Sequence, residues 1–128
     1  MKTNYKLALR LLAGAALGAA AIQGLHAQAK PPVIVVIDIE DVTDPEGFKV
    51  VTQRAPASTA TVVQGGGRYI TRTDKIAALD GTPPKRSIII AFDDAGKAQA
   101  WYNSSDQKEI NEIRSKTTRS RAFVIEGM

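Results

Sequence analysis

The segment VIVVIDI at residues 33–39 indicates what kind of fold this 128-residue chain adopts. Nearly all of its residues are β-branched, a composition typical of strands. Successive side chains of a strand point to opposite faces. One face carries Val33, Val35, Ile37 and Ile39, and the other carries Ile34, Val36, Asp38 and Glu40. The two faces differ, because the first is entirely apolar and the second carries two carboxylates.

A second segment, RSIIIAF at residues 86–92, is largely apolar on both faces. Asp44 before Pro45 predicts a helix start, and Pro56 is expected to interrupt that helix because proline lacks a backbone donor. Ser104 followed by Gln107 matches a capping box, which predicts a further helical start. The predicted elements are a strand at 33–39, a helix at 45–64 broken at Pro56, strands at 68–73 and 86–92, a helix after Asp93-Asp94, a second helical segment from Ser104, and a strand at 122–126. The pattern leaves open whether residues 57–64 are helical.

The order strand, helix, strand, strand, helix, strand is the ferredoxin-like α+β pattern. In that βαββαβ topology the first and third strands lie in the centre of a four-stranded antiparallel sheet, and this assignment is supported because they are the two most apolar strands of the chain. Two helices cover only one face of such a sheet. Because large exposed apolar patches are uncommon on soluble monomers, the other face is predicted to pack against a second copy, which gives a dimeric α+β barrel. Space left inside this assembly is a natural ligand cavity.

The first 29 residues predict a secretory signal peptide. Lys2, Lys6 and Arg10 precede an uncharged stretch at 11–22, and Ala27-Gln28-Ala29 offers a small-x-small cleavage site. Cleavage after Ala27 or after Ala29 fits the pattern. We therefore expect a domain over residues 30–128 that is periplasmic or secreted and does not span a membrane.

The composition excludes several kinds of chemistry. The chain has no Cys, and its one His, His26, leaves with the predicted signal peptide, so the mature protein has no Ser-His or Cys-His nucleophile and no histidine metal ligand. Cleavage also removes three of the 17 basic residues and none of the 13 acidic ones, which leaves a net charge near +1. Nucleic-acid binding, which depends on many phosphate contacts, is therefore disfavoured.

Three further motifs have simple structural interpretations. The glycines at 65–67 follow a helix and lack the spacing of a dinucleotide-binding loop, so a turn is favoured. The acidic residues at 38–46 lack the spacing of a calcium loop. A basic run is predicted at a helix end, where it complements the helix dipole; it consists of Arg114, Lys116, Arg119 and Arg121. No metal, cofactor or nucleic-acid partner is predicted.

Several segments together resemble the domain of unknown function family 1330. They are GGRYITR at 66–72, RSIIIAF at 86–92, AQAWYNS at 98–104, Arg114, and the ending Glu126-Gly127. The resemblance extends from about Val33 to Gly127. It implies a dimeric α+β barrel, in agreement with the pattern above, and no established activity. Proteins of this architecture include antibiotic-biosynthesis monooxygenase-like enzymes and ligand-binding proteins, so the fold does not choose between them.

The chain departs from the family pattern at three positions. Two tyrosines one turn apart in the first helix are replaced by Phe48 and Val51, and a later aromatic position is Gln107. A pocket in this protein is therefore expected to be more apolar than is usual for the family.

Six residues are candidate ligand contacts, because tyrosine donates hydrogen bonds and arginine holds carboxylates through two parallel bonds. They are Tyr69, Arg72, Arg86, Trp101, Tyr102 and Arg114. Each has a structural alternative. Trp101 has the helical spacing of a core residue, and Tyr102 is a candidate for the sheet edge. Arg86 and Arg114 could form ion pairs with acidic residues such as Glu126 or Glu112.

The favoured function is an exported dimer that binds a small, mostly apolar molecule between sheet and helices. A cofactor-independent enzyme, monooxygenase- or isomerase-like, acting on a small organic substrate is the alternative. A structural dimer without a ligand is the third hypothesis.

Overall fold

The two apolar segments form the central strands of one four-stranded antiparallel sheet. The computed structural model describes residues 31–127, and the predicted signal peptide at 1–29 lies outside them. In chain order the elements are β1 (Val33–Val42), α1 (Pro45–Gln53), α2 (Ala55–Gln64), β2 (Gly67–Thr73), β3 (Arg86–Phe92), α3 (Ala95–Tyr102), α4 (Ser105–Thr117) and β4 (Thr118–Glu126).

The strand order is β2-β3-β1-β4, with β1 and β3 inside. This is the predicted ferredoxin-like βαββαβ topology, and the prediction of the two central strands is confirmed. The register places Val36 opposite Ile89 on β3 and opposite Phe123 on β4. Among residues 31–127, no helix has the length and hydropathy needed to cross a membrane.

The first helical segment is interrupted close to Pro56, where the sequence predicts a break. Asp44 caps α1 by accepting a hydrogen bond of 3.1 Å from the Gly47 amide. Arg54 separates α1 from α2, and Pro56 lies in the first turn of α2, where a missing backbone donor is tolerated. The segment after the proline, whose helicity was open, is helical. At the other end of α2, Gly66 adopts a φ of 85°, so the glycines form a turn into β2.

In the second helical segment, formed by α3 and α4, one predicted cap is confirmed and another is corrected. Asp94 accepts a hydrogen bond of 2.8 Å from the Lys97 amide and starts α3. Ser104 is the N-cap residue of α4, but its hydroxyl donates to the Trp101 carbonyl at 2.7 Å and makes no capping bond. The predicted capping box is therefore wrong in its contacts. Its other member, Gln107, is buried and donates to Asn111 instead, because it lies on the helix face that turns toward the sheet.

Strand β4 begins four residues earlier than the sequence predicts, at Thr118. Arg119 and Arg121 therefore belong to a strand rather than to a helix end, which corrects the interpretation of the basic run. Their guanidinium groups approach Glu40 at 3.2 Å and Asp38 at 3.6 Å on the neighbouring strand β1. Cross-strand charge pairing therefore explains Arg119 and Arg121. The helix-dipole interpretation applies only to Arg114 and Lys116, which lie in the last turn of α4.

The two faces of the sheet have different surroundings. The helix-covered face and the helices share one buried core, which includes Val33, Val35, Ile37, Val62, Ile90, Phe92, Ala98 and Trp101. The opposite face has no covering layer in residues 31–127. Its apolar residues include Ile70 on β2 and Ile125 on β4, whose exposed fractions are 55% and 48%.

Candidate functional site

A small cavity of about 60 Å³ lies between the sheet and the helices α1, α2 and α4. Its apolar wall comes from the helix-covered face of β1 and β3 and from the inner sides of the helices, including Ile39, Phe48, Val51 and Ile110. Phe48 and Val51, the two residues singled out as departures from the family pattern, both line the cavity, and the expectation of a pocket more apolar than is usual for the family stays a prediction.

Five of the six predicted contact residues line this cavity, namely Tyr69, Arg72, Arg86, Trp101 and Arg114. Tyr102 does not. Its hydroxyl is hydrogen-bonded to Arg114, and its ring lines a second, more open groove of about 240 Å³ beside β4. This position beside the edge strand β4 agrees with the expectation that Tyr102 faces a sheet edge. Tyr102 is connected to the first cavity only through its hydrogen bond with the lining residue Arg114.

An irregularity in β2 brings two of the polar residues to the same side. Tyr69 and Arg72 are three positions apart, which places side chains on opposite faces of a regular strand. The pairing with β3 shifts between Tyr69 and Thr71, and the bulge restores both side chains to the cavity side. The guanidinium of Arg72 then lies 4.9 Å from the centre of the Tyr69 ring, a cation–π contact.

The phenol of Tyr69 is a neutral hydrogen-bonding group at physiological pH. Burial raises its pKa above the ordinary value, while Arg72 and a hydrogen bond with Thr59 lower it by smaller amounts. A tyrosine in this state donates a proton to a hydrogen bond and does not act as a phenolate base.

Arg114 is the most buried charged group of the site, with 7% of its surface exposed. Its guanidinium donates to Asn111 Oδ1 at 3.1 Å and to Tyr102 Oη at 3.0 Å, and both acceptors are neutral. Within residues 31–127 neither Arg114 nor Arg86 forms an ion pair with a carboxylate. Pairing with Glu112 or Glu126, the structural alternative for these arginines, is therefore wrong.

Three buried polar atoms of the cavity-lining residues have no hydrogen-bond partner in the described part of the chain. They are Trp101 Nε1, Gln107 Oε1 and Arg114 Nε. Leaving a buried donor or acceptor unpaired costs about 1–3 kcal/mol, so each of these atoms is expected to have a hydrogen-bond partner, such as a water molecule, from outside the described chain. Trp101 is also a core residue, as predicted, and its ring centre lies 5.4 Å from that of Phe92.

The sequence reasoning missed Asn111 as part of the site. Gln107, Asn111 and Arg114 are four and three residues apart, a spacing that puts them on one side of a helix. The structure joins them through hydrogen bonds of 2.9 and 3.1 Å. This polar stripe is visible in the sequence once α4 is assumed, but it resembles the solvent face of an ordinary helix.

The acidic residues at 38–46 lie outside the cavity and have local partners. Asp38 accepts a hydrogen bond from Ser87 at 2.7 Å, and Asp41 pairs with Lys85. The ion pair and hydrogen bond with Lys85 lower the pKa of Asp41 below its ordinary value. Among residues 31–127, no group of three or more potential metal ligands is present.

The fold and the cavity together define an α+β protein of the ferredoxin-like class, with a mostly apolar space between sheet and helices that a few polar side chains line. The chain belongs to the family described as a domain of unknown function (DUF1330), whose model matches residues 32–128. No curated protein sequence matches the chain.

Solved structures of the same fold share little sequence with it. A protein of unknown function from Rhodopseudomonas palustris has 12% identity and a TM-score of 0.58, covering 85% of this chain and 92% of its own. A dimeric ferredoxin-like protein of unknown function from Thermobifida fusca has 12% identity and a TM-score of 0.55, with coverages of 75% and 92%. A putative antibiotic biosynthesis monooxygenase from Nitrosomonas europaea has 8% identity and a TM-score of 0.52, with coverages of 77% and 92%. These similarities establish the fold.

Proposed function

We propose that this protein binds a small, mostly apolar molecule in the cavity between its sheet and its helices. The observation that carries the proposal is the composition of the cavity wall, in which a few polar side chains interrupt an otherwise apolar lining. Ligand sites are typically built in this way, because apolar walls supply affinity and a few polar groups fix orientation. A purely structural dimer would be expected to fill this space.

Binding is favoured over catalysis by the state of the best-placed acid–base group. An enzyme without a cofactor that activates its substrate by removing a proton needs a base in the cavity. Tyr69 has a raised pKa and stays protonated at neutral pH, and the lining residues include no histidine and no carboxylate. The Nitrosomonas europaea neighbour motivates the enzyme alternative, which would use Tyr69 as a proton donor. Turnover of a substrate that is lost in Tyr69→Phe would favour that alternative.

The binding proposal is tested by native mass spectrometry of protein purified from the cells that produce it. Ser58 lines the cavity from α2, so Ser58→Phe fills the space, whereas Ser115→Phe adds the same ring on the exposed side of α4. We expect a retained small molecule on the wild-type protein and on Ser115→Phe, and none on Ser58→Phe. Wild-type protein that carries no added mass, or an added mass that Ser58→Phe retains, would contradict binding in this cavity.

The second part of the proposal is that the binding unit is a homodimer formed through the uncovered sheet face. Ile34, Val36 and Ile89 form a half-buried apolar centre on this face, and Phe123 and Ile125 extend it to the edge. The Thermobifida fusca protein of the same fold is described as dimeric. A second copy supplies a matching apolar surface without any further partner.

The third part is that the protein is exported and is periplasmic or secreted. It is supported by the basic start, the short apolar stretch and the cleavage motif within residues 1–29. Intact-mass analysis of the exported protein is expected to find an N-terminus at Gln28 or Lys30. An exported soluble form that still begins at Met1 would contradict the signal peptide.

A further inference from the structure

Arg114 is a buried positive charge that forms no ion pair within residues 31–127. A guanidinium is protonated at any physiological pH, and burial of a charge is costly unless an opposite charge or a full set of hydrogen bonds accompanies it. Arg114 is 7% exposed, has only neutral hydrogen-bond acceptors, and keeps its Nε without a partner. Its surroundings within residues 31–127 therefore lack the negative charge that this position requires.

The rest of the cavity adds positive charge and no negative charge. Arg86, which is half-buried, lies at the start of β3 on the cavity side, and Arg72, which is exposed, reaches the same space from β2. The lining residues include these three arginines and not one Asp or Glu, although 13 acidic residues are present in the chain. In a cleft with apolar walls, positive groups without a negative partner raise the local potential more strongly than they do in water, and the buried Arg114 contributes most to this effect. The cavity is therefore suited to an anion.

The most buried charged group of the cavity lining is a hydrogen-bond donor. Arg114 and Trp101 both line the cavity, are more than nine-tenths buried, and carry only donor groups on their side chains. A carboxylate has only acceptor oxygens, and its planar geometry matches the guanidinium fork. The apolar wall formed by Ile39, Phe48 and Ile110 then contacts the remainder of the molecule.

We propose that the cavity binds a small organic monocarboxylate, with the carboxylate held by Arg114 and supported by Arg86, and the carbon chain against the apolar wall. The inference rests on the proposed ligand-binding function and names the ligand class. The cavity of about 60 Å³ is smaller than the ~150 Å³ that accommodates benzene, so the enclosed part of the ligand is a carboxylate on a short chain. An inorganic anion shares the charge but makes no use of the apolar wall.

The test is calorimetric titration of the purified protein with butyrate, with butyramide as its neutral counterpart, and with inorganic phosphate, in a buffer free of other carboxylates. Charged hydrogen bonds contribute substantially more than neutral ones, so we expect butyrate to bind at least about tenfold more tightly than butyramide and than phosphate. Arg114→Met is expected to abolish this preference. Lys116→Met, an exposed position on the same helix, is the matched control and is expected to preserve it.

Arg86→Met provides a second variant should Arg114→Met fail to fold, which circular dichroism detects. It removes a half-buried charge of the cavity without touching α4 and is expected to weaken butyrate severalfold while butyramide is unaffected. Equal affinity for butyrate and butyramide would overturn the inference but leave ligand binding intact. Phosphate binding as tightly as butyrate would overturn the carboxylate class. A wild-type protein that binds none of the three probes and carries no retained molecule would refute the proposed function itself.

Discussion

The replacement Ile89→Glu tests whether the uncovered sheet face is a dimer interface. Ile88 and Ile89 are neighbours on β3, but they point to opposite faces. Ile88 lines the cavity and packs against the helix-covered core, whereas Ile89 lies beside Val36 at the centre of the open face. The same substitution at these two positions is therefore expected to give two different failures.

The expected weakening of the dimer by Ile89→Glu follows from the apolar surface that Ile89 buries in the interface. Covering an isoleucine side chain completely contributes about 1.5–3 kcal/mol, and Ile89 is already half-buried in one protomer, so about 1.5 kcal/mol is the appropriate share. A two-fold interface uses the residue twice, which gives about 3 kcal/mol and at least a 100-fold weaker dimer, before the cost of burying a carboxylate is added. Ile88→Glu instead introduces a charge into the helix-packed side and is expected to destabilise each protomer.

The assay is light scattering over a range of micromolar concentrations, with circular dichroism to confirm the fold. We expect Ile89→Glu to be a folded monomer and Ile88→Glu to melt at lower temperature or aggregate. Val63→Glu, which changes a 64% exposed position on α2, is the control and is expected to remain dimeric. A wild-type protein that is a folded monomer at these concentrations, or an Ile89→Glu variant with undiminished association, would refute the reasoning.

Two further predictions address stability and pH dependence. A Cβ on Gly67 would lie 2.6 Å from the Phe92 ring, so Gly67→Ala is expected to destabilise the protein by about 1–3 kcal/mol in chemical denaturation. Gly96→Ala, inside α3 with only an Asp94 oxygen nearby at 3.2 Å, is expected to be neutral or to stabilise by up to about 1 kcal/mol; equal losses in both variants would contradict the packing argument. The raised pKa of Tyr69 stabilises the fold below the ordinary tyrosine pKa of about 10, and that contribution is lost as the pH rises through the folded-state value. Denaturation between pH 9 and 12 is therefore expected to show a shallower alkaline loss of stability in Tyr69→Phe than in wild type, and parallel curves would contradict it.

Local patterns in the sequence were sufficient for the topology. The order of the predicted strands and helices indicated the βαββαβ topology, which places the first and third strands in the centre, and the apolar composition of VIVVIDI and RSIIIAF supported that assignment. The caps at Asp44 and Asp94 and the helix break before Pro56 were also predictable, since each depends on backbone groups within a few residues.

The cavity was only partly predictable. Its candidate residues were found by type and by resemblance, but the sequence left open whether Arg114 had an acidic partner and which of Ile88 and Ile89 faced the helices. The capping box at Ser104 failed because the tertiary contacts of Gln107 replaced a local bond that the spacing permits.

The geometry of the cavity depends on contacts between residues that are far apart in the chain. The bulge in β2 places Tyr69 and Arg72 on one side, and it exists only in the pairing of β2 with β3. The burial of Arg114 depends on α4 lying across the sheet, with Tyr102 from α3 as its neighbour. Alternation and capping are properties of a short segment, whereas register, the choice of covered face and the desolvation of a charge arise only when distant segments pack together.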